Sequence, residues 1–195
     1  MRVTLFGKNS EEIKPVVEKL GFEIVDKNPE LVICYGGDGA LMRGEYQYPG
    51  ITKVLLRGES RICKLCSPLD NKEVLERIAN GKYKAPEFFK LEAEARGKKF
   101  QAINDITVHN KDARHAIRYR LWVNDKPIGG EIIGDGVVIS TPLGSTGYYR
   151  SITDSYFEVG IGLAFNNSTE QSDHIVLKED AVMRIVIIRG PAFIY

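Results

Sequence analysis

Gly36-Gly37-Asp38-Gly39 stands directly behind an apolar run at residues 31–35. Glycine carries no Cβ, so such a loop lets a phosphate or a ribose reach the backbone and take its free N–H groups. Asp38 is the informative member, because a carboxylate beside bound phosphates is repelled unless it serves a metal or accepts a proton. Taken alone, the four residues are also ordinary tight-turn chemistry. A second segment starts at Gly134-Asp135-Gly136, continues through the strand-like 137–141 and is stopped by Pro142, after which come Leu143-Gly144-Ser145-Thr146-Gly147-Tyr148-Tyr149-Arg150-Ser151. Hydroxyls and N–H groups there suit an adenine or amide edge, and a tyrosine ring offers a stacking surface. The plain alternative is a bulged strand and a polar turn. A third segment is Asn104-Asp105 within FQAINDITVHN. Two polar residues at strand positions cost burial energy, so they need partners or a ligand, unless they mark a bulge or a strand edge.

The elements that must position these groups follow from periodicity. Residues 2–6 read as a strand, and Asn9 with Glu12 has capping-box spacing ahead of a helix whose apolar face is Ile13, Val16, Val17 and Leu20, stopped by Gly21. Short β-rich runs at 22–25, 31–35 and 52–56 and a helix over 71–80, with Val74, Leu75, Ile78 and Ala79 on one face and Gly81 at its end, continue a β-α-β alternation. This predicts an α/β first domain over 1–84. From 85 to 195 helical periodicity gives way to β-rich runs broken by Gly97-Lys98, Asn110 and Asn124-Asp125. Ile117, Tyr119, Leu121 and Val123 alternate with Arg118, Arg120 and Trp122, one packed face and one more polar. A predominantly β second domain is expected, its last strand at 183–188 staying there or returning to the first domain.

Composition narrows the function classes. A chain of 195 residues, 43% hydrophobic and 27% charged, is a folded protein rather than a disordered or fibrous one. Lys+Arg 27 against Asp+Glu 26 leaves a net charge of +1, so no nucleic-acid partner is expected. The apolar stretch 181–188 is interrupted by Arg184 and is far shorter than the roughly 20 residues a membrane helix needs, so no membrane partner is expected either. The first residues lack the apolar core of a signal peptide, and three cysteines, an odd count, point to a reducing cytoplasm. Cys63-Lys64-Leu65-Cys66 has zinc or redox spacing, but the chain offers only Cys34 and three scattered histidines as further ligands, so the pair reads as two buried or half-buried thiols. His109 and His115 read as structural or surface residues, and the sequon Asn167-Ser168-Thr169 carries no meaning without a secretory signal. GxxxxGK[ST] does not occur, which excludes a P-loop ATPase.

Taken together, YGGDGA, INDITV and GDGVVISTPLGSTGYYRS resemble the NAD kinase family, in the family's order and with compatible gaps, over roughly residues 31–45 and 100–151. The resemblance implies a Rossmann-like parallel sheet in the first domain, a β second domain and an active site in the cleft between them. It implies phosphoryl transfer from ATP or polyphosphate to the adenosine 2′-hydroxyl of NAD, giving NADP. Asp38, flanked by Gly37 and Gly39, resembles the family's acid facing that hydroxyl, a candidate general base. Asn104 and Asp105 match the pair that holds the adenine and ribose of NAD. Asp135, Thr146, Gly147, Tyr148 and Ser151 align with positions contacting the nicotinamide half or the adenine, partly across subunits of a homodimer or homotetramer. Magnesium or another divalent cation is expected on the donor's phosphates, without direct protein ligands.

The chain also departs from the family's pattern. Ala40 stands where Thr is usual after GGDG, and Leu143 and Gly147 replace the third and seventh residues of TPTGSTAY. The glycine-rich stretch that typically follows the next strand is represented by Leu55-Leu56-Arg57-Gly58-Glu59-Ser60-Arg61-Ile62, where Arg57 and Arg61 are candidates for a donor phosphate. These departures motivate an alternative from another class, a catalytically weak NAD(P)-binding or regulatory protein on the same fold. A lipid kinase sharing GGDG fits poorly, because TPLGSTGYY resembles the NAD kinase segment specifically.

Overall fold

The computed structural model describes residues 1–59, 63–170 and 174–195, and the chain divides into two units, Met1–Glu87 and Phe88–Tyr195. In the first, β1 (Arg2–Phe6), a 3-10 turn (Ser10–Ile13) leading into α1 (Lys14–Lys19), β2 (Glu23–Ile24), β3 (Leu31–Gly36), α2 (Asp38–Gln47), β4 (Thr52–Arg57) and α3 (Asn71–Ala79) alternate. Among the described residues the strands form one parallel sheet in the order β2-β1-β3-β4. Strand side chains alternate between faces, and β3 shows the consequence: Leu31 and Ile33 join a core with Ile13, Val17, Leu75 and Ile78, while Val32 and Cys34 join another with Ala40 and Cys63. A central strand covered on both faces has to be apolar throughout, and its first four residues are buried.

Two local readings need correction. The capping box at Asn9 does not form: the Asn9 side chain makes no cap bond, and Glu12 instead accepts from the Tyr35 hydroxyl at 2.9 Å. Ala79 is exposed, because the face of α3 that meets the sheet runs through Val74, Leu75 and Ile78. Asp70 is a true N-cap there, accepting from Glu73 N at 2.9 Å. Helix α2 has no signal in the sequence reading. Gly39 and Gly44 lower its propensity and its apolar residues make no clean stripe, so packing against β3 and β4 holds it.

The second unit is built from β5 (Leu91–Ala95), β6 (Lys98–Ala102), β7 (Asp105–Asn110), β8 (Ile117–Val123), β9 (Lys126–Gly134), β10 (Gly136–Ser140), a helical turn (Ser145–Tyr149) with the short α4 (Arg150–Thr153), β11 (Ile161–Asn166), β12 (Ile175–Leu177), β13 (Met183–Arg189) and β14 (Ala192–Ile194). Antiparallel sheets in the orders β12-β11-β10-β7-β14 and β13-β8-β9 share a core containing Ile106, Ile117, Tyr119, Leu121, Val137, Ile139 and Leu163. Each such side chain taken fully from water contributes about 1.5–3 kcal/mol. Tyr119 is fully buried and donates its hydroxyl to Gly136 O at 3.1 Å; burial pushes its phenol well up. On the other face of the first sheet, Val138 and Ala164 pack against Tyr149, Ile152 and Phe157, which ties the segment after β10 back onto the strand that leads into it.

Candidate active site

In the first unit Asp38 lies at the carboxyl end of β3 and opens α2, with Gly37 as N-cap. Gly36 has φ +148, a conformation that side-chain-bearing residues rarely adopt, so the turn needs glycine there. Gly39 is different. It is helical, and a Cβ on it would meet only Arg43 Nη1 at an ordinary 3.6 Å, so the fold does not require glycine at that position. The Asp38 carboxylate accepts from Lys64 N at 3.1 Å on Oδ2 and from Leu65 N at 3.0 Å on Oδ1. The Cys63 sulfur is 3.5 Å from Oδ1. Cys63 and Cys66 are bridged by a disulfide with their Cα atoms 5.4 Å apart, which corrects the reading of two separate thiols. A bridge closes when the chain brings both Cβ atoms within reach, a condition that spacing alone leaves open. Cys34 remains a free, buried thiol, its pKa pushed up to about 12 by burial.

Of the two arginines expected near a donor phosphate, Arg57 is exposed, and its backbone is bracketed by Asn71, whose Oδ1 accepts from Arg57 N at 3.0 Å and whose Nδ2 donates to Arg57 O at 2.7 Å. Its guanidinium reaches Cys63 O at 3.5 Å. Arg61 lies outside the described residues.

In the second unit register does the positioning. Asp105 starts β7 opposite Ser140 of β10, and Asn104 just before it donates to Asp105 Oδ2 at 3.3 Å. The Asn104 carbonyl accepts from Thr141 N at 2.8 Å, while Thr141 Oγ1 donates to Ile103 O at 2.6 Å, so the 140–144 turn clamps the backbone that carries the pair. Burial raises the Asp105 carboxyl above its ordinary range.

Asp135 sits at the corner between β9 and β10. Its Oδ1 accepts from Asn110 Nδ2 at 2.9 Å and its Oδ2 from Asn167 Nδ2 at 3.0 Å. Gly136 beyond it has φ +149, and a Cβ there would lie 1.9 Å from Val108 O, so the corner closes only around glycine. Tyr148 accepts from Asn166 Nδ2 at 2.8 Å; its phenol is raised first by burial, then by the charges of Tyr195, Asp135 and Asp105. Asp105 and Asp135 thus lie near enough to Tyr148 for their charges to act on its phenol. Thr146 is half-buried and Gly147 exposed, with open space around a Cβ at 147, while exposed Ser151 donates to Tyr148 O at 2.7 Å.

The structure redistributes the hydroxyls of the second segment. Ser140, Thr141 and Ser145 are buried and bonded to backbone carbonyls, so they build the turn rather than offer themselves to a ligand. Sequence reasoning also missed Asn110, Asn166 and Asn167 around Asp135 and Tyr148. The adjacent Asn166-Asn167 behind an apolar run was the available signal. Nothing marked the Lys64 and Leu65 amides, because every residue has one. Among the described residues no three of His, Cys, Asp and Glu gather as a metal cage. Nor, among them, is any helix long and apolar enough to cross a membrane.

Residues 103–192 match the family model described as the ATP-NAD kinase C-terminal domain. A protein of Saccharolobus islandicus named NAD kinase is 32% identical over 163 residues, 80% of this chain and 64% of that protein. One of Saccharolobus solfataricus with the same name is 34% identical at the same coverage. This chain thus spans 64% of the length of those relatives. In fold it is similar, at TM-score 0.82 and 18% identity over 100% of this chain and 83% of the other, to an NAD kinase from Archaeoglobus fulgidus crystallised in complex with ATP. Yeast NADH kinase complexed with NADH is similar at TM-score 0.80 and 16% identity, over 96% of this chain and 72% of the other.

Proposed function

We propose, from a chain that belongs to the NAD kinase family, that this protein phosphorylates the adenosine 2′-hydroxyl of NAD to give NADP, with ATP or polyphosphate as donor. The observation that carries the reading is Asp38, a carboxylate at the carboxyl end of a central parallel strand, the end where open α/β sheets bind ligands. A hydroxyl is a weak nucleophile, so the reaction needs alignment and a place for its proton. Asp38 takes that proton as the ribose oxygen attacks the terminal phosphorus, a new O–P bond forms, and the bond to the leaving phosphate breaks. Asn104 and Asp105 hold adenine and ribose, and Asp135, Thr146, Gly147, Tyr148 and Ser151 bind the rest of the dinucleotide. Gly37 and Gly39 keep side chains away from the acid.

ATP as donor is supported by the ATP-bound Archaeoglobus fulgidus structure, and a nicotinamide dinucleotide as acceptor by the NADH-bound yeast one. A divalent cation such as magnesium fits as part of the donor, neutralising its phosphates. A homodimer or homotetramer and a cytoplasmic location belong to the same reading. The exposed apolar side chains of Val186, Ile188 and Phe193 support the former. A catalytically weak NAD(P)-binding relative is the second reading, supported by Ala40, Leu143 and a donor-side segment in which the Arg57 backbone is already bracketed by Asn71.

The test is a product assay on purified protein with NAD, Mg²⁺ and either ATP or polyphosphate, NADP being read by a strictly NADP-dependent dehydrogenase. NADP from wild type, and its formation lowered at least about 100-fold in Asp38→Asn, is the expected result. NAD binding with no NADP from either donor would establish the second reading.

A further inference from the structure

Both amides that hold the Asp38 carboxylate belong to the two residues enclosed by the Cys63–Cys66 bridge. A disulfide across two intervening residues closes a small ring and removes most of the loop's conformational freedom, so the bridge restrains the two N–H groups that point at the carboxylate. The loop is 25–27 residues beyond Asp38 in the chain, with its Lys64 and Leu65 side chains exposed. Cys66 is half-buried while Cys63 is buried against Val32, Cys34, Ala40 and Leu55.

We propose that Cys63 and Cys66 form a dithiol–disulfide switch on Asp38: bridged, the loop keeps the Lys64 and Leu65 amides on the carboxylate; opened, it frees both oxygens for the substrate. Of the roughly four lone-pair sites of a carboxylate, one on each oxygen is taken in the bridged form. The bridged loop also lays the Cys63 sulfur 3.5 Å from Oδ1, crowding the group that must receive a hydroxyl. Opening requires a two-electron reductant of the dithiol class. Its thiolate attacks the sulfur of Cys66, the accessible one; the S–S bond breaks, and Cys63 leaves as a thiolate and takes a proton from solvent. The reductant's second thiol then displaces Cys66, which is protonated in turn, and the reductant departs as its own disulfide. Two electrons and two protons pass to the pair. A reducing cytoplasm, the location in the functional reading above, is where such a reductant is present.

The proposal rests on Asp38 as proton acceptor, and its test separates the loop from the reaction. Bridged and dithiothreitol-treated full-length protein are compared by amide hydrogen exchange at Lys64 and Leu65, with cysteine alkylation reporting the redox state, and by NADP formation. Cys34, buried and with its thiol pKa pushed up, resists alkylation in the folded protein, so the label counts the pair. Exchange at both amides is expected to quicken at least tenfold on reduction, and likewise in bridged Asp38→Ala. Turnover is expected to rise at least fivefold with KM for NAD within twofold. A Cys63→Ser/Cys66→Ser double variant should run at the reduced rate and ignore reductant. Equal exchange in the two states, equal turnover in the two states, or two labelled thiols after oxidation with diamide each overturns the switch. If no NADP forms in either state, the kinase reading fails, and exchange alone decides whether the loop and Asp38 are coupled.

Discussion

Asp38 and Asp105 are aspartates at opposite ends of their strands, and the chain restrains them by different means. Asp38 follows β3 and is held by amides contributed by a loop from elsewhere in the sequence. Asp105 begins β7, where ladder bonds to β10 and the clamp at 141–144 fix its backbone. The first arrangement adapts, because a loop can change its ring state or move without disturbing the sheet. The second is rigid, because every displacement breaks several ladder bonds together. In the proposed reaction, an acid that accepts a proton suits the adaptable arrangement, and groups that hold a rigid base and sugar suit the ladder.

The comparison is broken most directly at the acid. Asp38→Asn is expected to lower NADP formation about 100- to 10,000-fold, the usual contribution of a positioned general base, with NAD affinity within about threefold. Activity within tenfold of wild type overturns the general-base role. The rigid side is tested by Gly136→Ala. A Cβ placed 1.9 Å from Val108 O at φ +149 leaves no room for relaxation, and a loss of about 3 kcal/mol or more in chemical unfolding is expected, with Asp135 displaced from Asn110 and Asn167.

Gly39→Ala sharpens the contrast. A helical position with open surroundings tolerates a methyl group, and alanine is favoured there by about 1 kcal/mol, so stability is expected to hold or rise. Activity should still fall about tenfold if substrate backs onto this turn, a loss of roughly 1.4 kcal/mol. Unchanged activity would show that no ligand atom approaches Gly39.

Asp105→Asn gives the smallest effect and one with a definite sign. Burial raises the carboxyl in the folded state, so between its ordinary range and the raised one the folded protein binds more protons than the unfolded chain. Stability therefore falls as pH rises through that window and stays lower at neutral pH. Asp105→Asn should be more stable than wild type at pH 7, and the difference should vanish below about pH 4, where Asp is protonated in both states. Thermal unfolding across pH reads this directly, while nucleotide affinity drops.

Much of the second unit was legible because alternation in a strand is a local property. Ile117, Tyr119, Leu121 and Val123 are buried, and Arg118, Arg120 and Trp122 are not. The run 31–35, buried at its first four residues, was legible for a similar reason, being apolar or aromatic throughout. Helix α2 was not, since its glycines and mixed face carry no period. The capping spacing at Asn9 and Glu12 forms no cap, and Tyr35 from a neighbouring strand takes the Glu12 carboxylate instead. At the site, Asp38, Asn104, Asp105 and Asp135 stood out as charged or polar residues where glycine or strand residues surround them. Their partners did not stand out, since asparagine side chains and backbone amides are common everywhere.

The amino-acid sequence by itself determined most of the strands, though not β11, β12 and β14, together with the two amphipathic helices α1 and α3, the change from α/β to β, and the order of the motifs. Each of these depends on neighbours a few residues apart, which periodicity and residue type record. Tertiary structure alone decided that residues 64 and 65 would meet Asp38, that Cys63 and Cys66 would bridge, and that Ser140, Thr141 and Ser145 would turn inward to backbone carbonyls. Such contacts depend on where the chain returns after packing, and no local pattern carries that information.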